Sequence, residues 1–314
     1  LKVIIHNISN YYSSYYLHGL IKVHESHFSA SKEFSSFNNR GYIVFEINGK
    51  LGVIDNHDPI GVNEELYEKS DFYFVTNKVK GNPSYEREKV FPLFPHYPID
   101  VRSSYLKLFG IHPFLKLRPI DFLKELYAQS LRPLYNSEQF QYHGSNYVFF
   151  SGSIWKKEPF ANQLRATFIQ ACKDHPMINF EGGFVERKDG QHGGYDHLLN
   201  TKKYKPREFA SLSRQSRIIF NNPAVLGAVS WRLAESQNLS SFVLSFPFDI
   251  HLPKYPLHGE EIHMINSLEE ISESIDYIMK NDSYHQKISK GGKLFFDKYC
   301  TPEKQINFVL NYFQ

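Results

Sequence analysis

Three stretches of this 314-residue chain carry residue types and spacings able to do chemistry. The longest runs Asn221-Asn222-Pro223-Ala224-Val225-Leu226-Gly227-Ala228-Val229-Ser230-Trp231-Arg232-Leu233-Ala234-Glu235. The apolar run Arg217-Ile218-Ile219-Phe220 before it reads as a strand, and a helix is expected from about Val225. Loop N–H groups, with Asn222, Ser230, Trp231 and Arg232, could meet a phosphate there. Glu235, further along the helix, could accept from the two hydroxyls of a ribose. The second stretch, Ser151-Gly152-Ser153, reads as a strand-to-helix turn whose N–H groups can face a diphosphate, although a plain turn has the same pattern. Arg165, in the helix beyond it, offers a permanent positive charge either to that anion or to solvent.

The third stretch is Asp55-Asn56-His57-Asp58-Pro59, at the end of the apolar run Leu51-Gly52-Val53-Ile54. Asp55 or Asp58 is the first candidate for a base that deprotonates an acceptor hydroxyl, and His57 the second. Asx-Pro sequences also start turns in which the side chain simply bonds its own backbone. The two aspartates lack the Asp-x-Asp spacing of a divalent-ion site, and the fifteen histidines include no pair at metal-binding helix spacing. Cys172 and Cys300 are far apart and belong to no zinc or disulfide motif. Neither a metal nor a cofactor is therefore expected. A Gly-rich segment from Glu181 to Gly194 reads as a flexible loop in which Arg187, Lys188 and His192 could approach phosphate or stay solvated.

These residues need elements to hold them. The length fits two domains, each able to bury its own core. With 36 basic and 33 acidic side chains the net charge is only +3, which speaks against a nucleic-acid partner. Val3-Ile4-Ile5, Tyr42–Phe45, Leu51–Ile54 and Phe72–Val75 read as strands, and Tyr11–Val23 as a helix. Tyr11, Tyr12, Tyr15 and Tyr16 could stack on a sugar or fill a core. Residues 106–131 alternate apolar and basic types, as an ordinary amphipathic face does, or one that lies on a membrane or receives a lipid-linked acceptor. A new β-α-β pattern opens at Tyr147, with Phe160, Leu164, Phe168 and Cys172 on one helical stripe.

Towards the end, Ser267 reads as the N-cap of a helix carrying Ile271, Ile275 and Ile278, and Thr301-Pro302 opens a final helix. The expected division is 1–146, 147–298 and a closing helix 299–314. No run approaches the roughly 18 apolar residues of a membrane span. The two unpaired cysteines fit a reducing cytoplasm, and the absence of an initiator Met leaves a preceding anchor open.

Ser230-Trp231-Arg232-Leu233-Ala234-Glu235, a short strand, Phe246-Pro247-Phe248-Asp249 and Leu252-Pro253 together resemble the donor half of GT-B glycosyltransferases, including exostosin-like and bacterial polysaccharide enzymes. Glu269-Glu270-Ile271, Asn281-Asp282 and Tyr299-Cys300-Thr301-Pro302 extend the resemblance over about residues 147 to 314. It implies an α/β GT-B fold, two Rossmann-like domains facing a central cleft with a C-terminal helix crossing back to the N-terminal domain. It further implies metal-independent transfer of a hexosyl or related sugar from a nucleotide sugar to a glycan or lipid-linked acceptor. Surface polysaccharide or lipopolysaccharide synthesis is the implied setting, in the cytoplasm or at the inner face of the membrane. Glu235 matches the ribose-binding Glu of that group. The paired glutamates of many retaining members are not evident, position 227 being Gly, so the stereochemical outcome stays open. A sugar-nucleotide epimerase or phosphorylase of similar fold, or a non-catalytic carbohydrate-binding protein, is the alternative.

Overall fold

The computed structural model describes residues 2–314, and the chain divides into two compact α/β units. The first takes in residues up to Asn136, together with Asp249–Lys254 and Lys298–Gln314; the second holds Ser137–Phe248 and Tyr255–Asp297. The boundary thus falls before residue 146: Gln141 donates its backbone N–H to Ser240 Oγ at 3.2 Å, and His143 contacts the Leu239 carbonyl at 3.3 Å, both within the second unit.

The first unit opens with β1 (Lys2–Ile5), α1 (Ser14–Val23), β2 (Glu25–Phe28), β3 (Tyr42–Ile47), β4 (Lys50–Asp55), α2 (Glu64–Lys69) and β5 (Phe72–Val75). After β6 (Lys78–Val79) and β7 (Val90–Pro92) come three helices, α3 (Arg102–Phe109), α4 (His112–Lys116) and α5 (Pro119–Ser130). The main sheet has the order β2-β1-β3-β4-β5-β7, parallel except for β3, which runs against both neighbours. Asn48 and Gly49, at φ of 53° and 77°, explain that reversal: both central residues of the two-residue turn lie in the left-handed region an Asn-Gly hairpin requires. Both faces of β3 are covered, Tyr42 and Val44 by Phe37, Leu66 and Tyr73, and Phe45 by Phe313.

In the second unit every paired strand is parallel. β8 (Tyr147–Ser153), α6 (Pro159–Asp174), β9 (Asn179–Val185), β10 (Leu199–Asn200), α7 (Pro206–Gln215), β11 (Ile218–Asn221), α8 (Arg232–Asn238) and β12 (Phe242–Ser245) follow in turn. The chain supplies β13 (Ile250–His251) to the first unit, where it pairs with β6. It then forms β14 (His263–Met264), α9 (Glu270–Lys280) and α10 (Asp282–Phe295) in the second. The sheet halves are β10-β9-β8 and β11-β12-β14. Between them β8 and β11 make no ladder. Instead Phe149 donates its N–H to Ser216 Oγ (2.9 Å) and Arg217 donates to the Tyr147 carbonyl (2.8 Å). Leu164, Phe168 and Cys172 of α6 pack over this sheet, with the Phe168 ring stacked on Phe220 at 4.6 Å, whereas Phe160 at the start of that stripe is exposed.

The last helix, α11 (Pro302–Leu310), belongs to the first unit and lies on α1. A Cβ on Gly19 would stand 2.4 Å from the Pro302 carbonyl, so only glycine allows the two helices to approach this closely. Tyr15 donates its hydroxyl to the Cys300 carbonyl at 2.6 Å, and Gln305 donates to the Pro95 carbonyl at 3.0 Å. Thr301 caps α11, accepting from Lys304 N–H, as the Thr-Pro start leads one to expect. The α9 helix starts later than Ser267, at Glu270, without a side-chain cap.

Candidate functional site

The β8, β11 and α8 segments converge on one cavity of about 520 Å³, wholly within the second unit. Ser153, Arg165, Asn222, Ser230 and Arg232 all line it. Five of the seven residues read as donor-binding therefore share one pocket. The local structure that brings them together differs from the expected turns. Ser151, Gly152 and Ser153 are not a turn but the end of β8, paired in parallel with Gly183, Phe184 and Val185. Helix α6 begins only at Pro159. Likewise, the helix expected from Val225 starts at Arg232, because Leu226 sits at φ 54° and interrupts it. With only seven residues in α8, and α6 starting six residues after Ser153, side chains rather than helix ends must supply the positive field.

Arg165 and Arg232 do so. Arg165 is buried, donates to the Ser153 carbonyl at 2.7 Å and to Asn222 Oδ1 at 3.2 Å, and its guanidinium lies 3.6 Å from the centre of the Trp155 ring. Arg232 donates to the Ser151 carbonyl and lies over the Phe150 and Phe209 rings at 4.9 and 5.3 Å. Burial pushes Arg165 down to about 10, and the charge of Arg232 adds to that shift; burial also lowers Arg232 to about 10, against the pull of Glu235. Both guanidiniums still carry their charge at neutral pH. Among the described residues neither is ion-paired with a carboxylate within 4 Å: their hydrogen bonds go to carbonyl and amide oxygens, and Glu158 and Glu235 act on them only at longer range. A bound polyanion such as a diphosphate would supply the missing counter-charge, without a metal, through charge-assisted hydrogen bonds.

Glu235 lines a smaller cavity that shares Ser151, Phe209, Phe220 and Arg232 with the first, and adds Ser213, Ser236 and Leu239. At about 20 Å³ this smaller cavity has room for roughly one water and not for a ribose or a base. Trp231 lines neither cavity.

Five pocket residues had no motif to announce them: Trp155, Lys202, Lys203, Tyr204 and Phe209. The run Lys202-Lys203-Tyr204-Lys205 before α7 was the available signal. Lys202 pairs with Glu181 (2.8 Å) and Glu208 (3.2 Å).

The loop candidates divide. Glu181-Gly182-Gly183-Phe184 is strand β9 rather than loop, and the glycines at φ 119° and 140° are needed because a Cβ would lie 1.9 Å from the Phe150 carbonyl and 2.5 Å from that of Leu198. Arg187 and Lys188 line a neighbouring open cavity that shares Ser153 with the main one. Arg187 is already engaged, with Asp189 at 2.8 and 2.9 Å and with the Ile154 carbonyl at 2.7 Å, while Lys188 is exposed. His192 points elsewhere and meets Asp196 at 2.8 Å.

In the first unit, Asp55 is buried and fully occupied. Its Oδ1 accepts from the His57 backbone N–H (3.1 Å) and lies 3.0 Å from His57 Nδ1, and its Oδ2 accepts from the Tyr73 hydroxyl at 2.6 Å. Burial and Asp55 together hold the Tyr73 phenol far above its ordinary value. Gly41 N–H donates to His57 Nε2 at 3.2 Å, which places the ring proton on Nδ1 and leaves neither nitrogen open. Asp58 alone of the three is exposed. Tyr15 and Tyr16 are completely buried, so of the four tyrosines only Tyr11 and Tyr12, with rings 4.4 Å apart, present surface. A carboxyl the sequence did not single out, Glu125 of α5, is buried and pushed up to about 7 by burial, although Gln129 Nε2 donates to it at 2.7 Å. Among the described residues no group of His, Cys, Asp and Glu could hold a metal ion.

No protein-family model matches the chain, and no curated protein matches it in sequence. Solved structures with a loosely similar fold include a glycosyltransferase from Rickettsia africae at 10% identity, with a TM-score of 0.47 over 91% of this chain and 75% of that one. The UDP-GlcNAc 2-epimerase of Neisseria meningitidis, bound to UDP-GlcNAc, is also 10% identical, with a TM-score of 0.45 over 99% of this chain and 100% of its own. S. aureus TarM, in a complex containing UDP, has 10% identity and a TM-score of 0.43 over 80% of this chain, which spans about half (53%) of TarM's length.

Proposed function

We propose that this chain is a glycosyltransferase of GT-B type that moves a sugar from a nucleotide-sugar donor to a glycan or lipid-linked acceptor, without a metal. The observation that carries the reading is the pair of guanidiniums, Arg165 buried and Arg232 half-buried, in one pocket with Ser153, Asn222 and Ser230 and with no carboxylate within ion-pair distance. The donor diphosphate binds between them, beside Lys203 and Tyr204, and the ribose reaches Glu235 once the small cavity next to Arg232 has widened. As the bond from the sugar's anomeric carbon to the diphosphate breaks, negative charge grows on the leaving phosphate oxygen, where the fixed guanidiniums stabilise it without reorganising. The acceptor oxygen forms the new bond to that carbon and gives its proton to a carboxylate. Asp58 is the candidate in an inverting transfer, since Asp55 and His57 are taken up in shaping its turn. We place the work in surface polysaccharide or lipopolysaccharide synthesis, in the cytoplasm with peripheral contact to the membrane. Fold neighbours that include glycosyltransferases are compatible with this.

The deciding experiment is thermal unfolding with UDP, GDP, CMP or TDP, each with magnesium and with a chelator. Selective stabilisation by one nucleotide that survives chelation supports the reading and gives the donor class. No response to any nucleotide removes it, and turnover of the matching nucleotide sugar without an acceptor would turn it towards an epimerase.

A further inference from the structure

The apolar side chains that stay outside the core are not spread evenly. Of the nineteen exposed large ones among the described residues, eight fall within residues 106–134, on and around α3, α4 and α5. Ile111, Phe114 and Leu115 stand together at a spacing of three and four, and Ile120, Leu123 and Tyr127 repeat the pattern along α5. Phe114, Leu115, Leu123 and Tyr127 are 62 to 67% exposed. The opposite side of α5, Phe122, Glu125 and Gln129, is buried. The helix therefore has an ordinary core face and, facing outward, a second apolar face of the kind a monomeric surface rarely carries.

The unpaired charges around this face are positive. Lys107, Lys116 and Lys124 are exposed and enter no ion pair among the described residues. Each carboxylate nearby is accounted for: Asp121 is held by Arg118 at 2.6 Å, Asp100 by Arg102 at 2.8 Å, and Glu125 faces inward. An outward face of bulky apolar groups interleaved with unpaired lysines complements a surface with an apolar interior and an anionic rim. Lysine stems can lie along acyl chains while their ammonium groups meet headgroups. Among the described residues no helix is long and apolar enough to cross a membrane, and the contact inferred here lies along one surface.

From this we infer that the outward face of α3, α4 and α5 docks on an anionic phospholipid bilayer, with Phe114, Leu115 and Leu123 entering the acyl boundary and Lys107, Lys116 and Lys124 reading the headgroups. The inference deepens the membrane placement proposed above and rests on that part of it alone, not on donor binding in the second unit.

The test is co-sedimentation of the full chain with vesicles of phosphatidylcholine alone and of equal parts phosphatidylcholine and phosphatidylglycerol, at low and at physiological salt. Binding is expected to be at least tenfold stronger to the anionic vesicles and to weaken as salt rises. Lys116→Glu with Lys124→Glu should cut it about twentyfold or more, and Phe114→Ser with Leu115→Ser at least tenfold. Unchanged circular-dichroism melting shows that the variants fold. No binding to anionic vesicles, or equal binding by wild type and both variants, overturns the proposal, as does a dimer that Phe114→Ser with Leu115→Ser dissolves. Nucleotide stabilisation of the same samples is recorded separately, so vesicle binding without it removes the transferase reading and leaves the docking face standing.

Discussion

Two ionic centres, one in each unit, are in opposite states. In the first, both oxygens of Asp55 are taken, by His57 and Tyr73, and His57 is closed off in turn by Gly41. In the second, Arg165 and Arg232 hold two like charges in one pocket, bonded only to neutral acceptors. A charged side chain with every partner in place is part of the scaffold. A pair of desolvated cations whose hydrogen bonds go only to neutral acceptors, with Glu158 and Glu235 acting on them only through space, is a scaffold suited to an anionic ligand, because desolvating charge is costly unless something compensates it. Position at a strand end made Asp55 look catalytic, yet partner bookkeeping separates the two centres.

That contrast can be broken by experiment. Replacing both guanidiniums, Arg165→Ala with Arg232→Ala, should abolish nucleotide binding, and either change alone should weaken it by about 100-fold, as loss of a charge-assisted contact does. Calorimetry that finds wild-type affinity in either single variant would remove the anion site. The apo stability of these variants should fall little, since each also relieves a buried charge. Asp55→Ala should behave the opposite way, costing about 3 kcal/mol in denaturant unfolding by stranding Tyr73 and His57, with nucleotide affinity unchanged.

A smaller effect sharpens the point at Glu125. Its folded value of about 7 lies above the unfolded 4.5, so the folded chain holds the proton more tightly. Stability should therefore decline as pH rises from about 4.5 to 7, with the penalty fully present above that. Glu125→Gln should recover about 2 to 3 kcal/mol at pH 8 but little at pH 4, and equal effects at both pH values would mean that burial does not control this carboxyl. Smallest is Glu235→Ala, expected to weaken a nucleoside diphosphate about tenfold through lost ribose hydrogen bonds while leaving inorganic pyrophosphate unaffected. Equal losses for both ligands would show that Glu235 acts through Arg232 instead.

Much of the donor-like pocket was legible because Asn222, Ser230 and Arg232 lie within a dozen residues of one another and Ser153 and Arg165 share a β-α unit. What was misread was conformation: small polar residues after an apolar run suggest a turn, but parallel pairing with β9 carries Ser151–Ser153 on as strand. Lys202, Lys203, Tyr204 and Phe209 come from the stretch before and into α7, and only the fold makes them neighbours of the rest. The antiparallel entry of β3 was written in Asn48-Gly49, whose turn geometry is specific, yet two apolar runs on either side also suit separate parallel strands. Tyr15 and Tyr16 were indistinguishable in sequence from the partly exposed Tyr11 and Tyr12; packing against His96, Tyr97 and Tyr135, distant in sequence, decides which rings are covered.

The seam between β8 and β11 has a mechanical meaning. Along the β8 edge that faces β11, the Tyr147 carbonyl takes the Arg217 amide, the Phe149 amide takes the Ser216 hydroxyl, and the Ser151 carbonyl takes Arg232. One of three stitches is thus a hydroxyl and one a side chain that also lines the cavity. Under load this junction should part before any true ladder in the same unit, and an anion gripping Arg232 would act as a rivet. The force needed to open the unit would then report whether its cavity is filled.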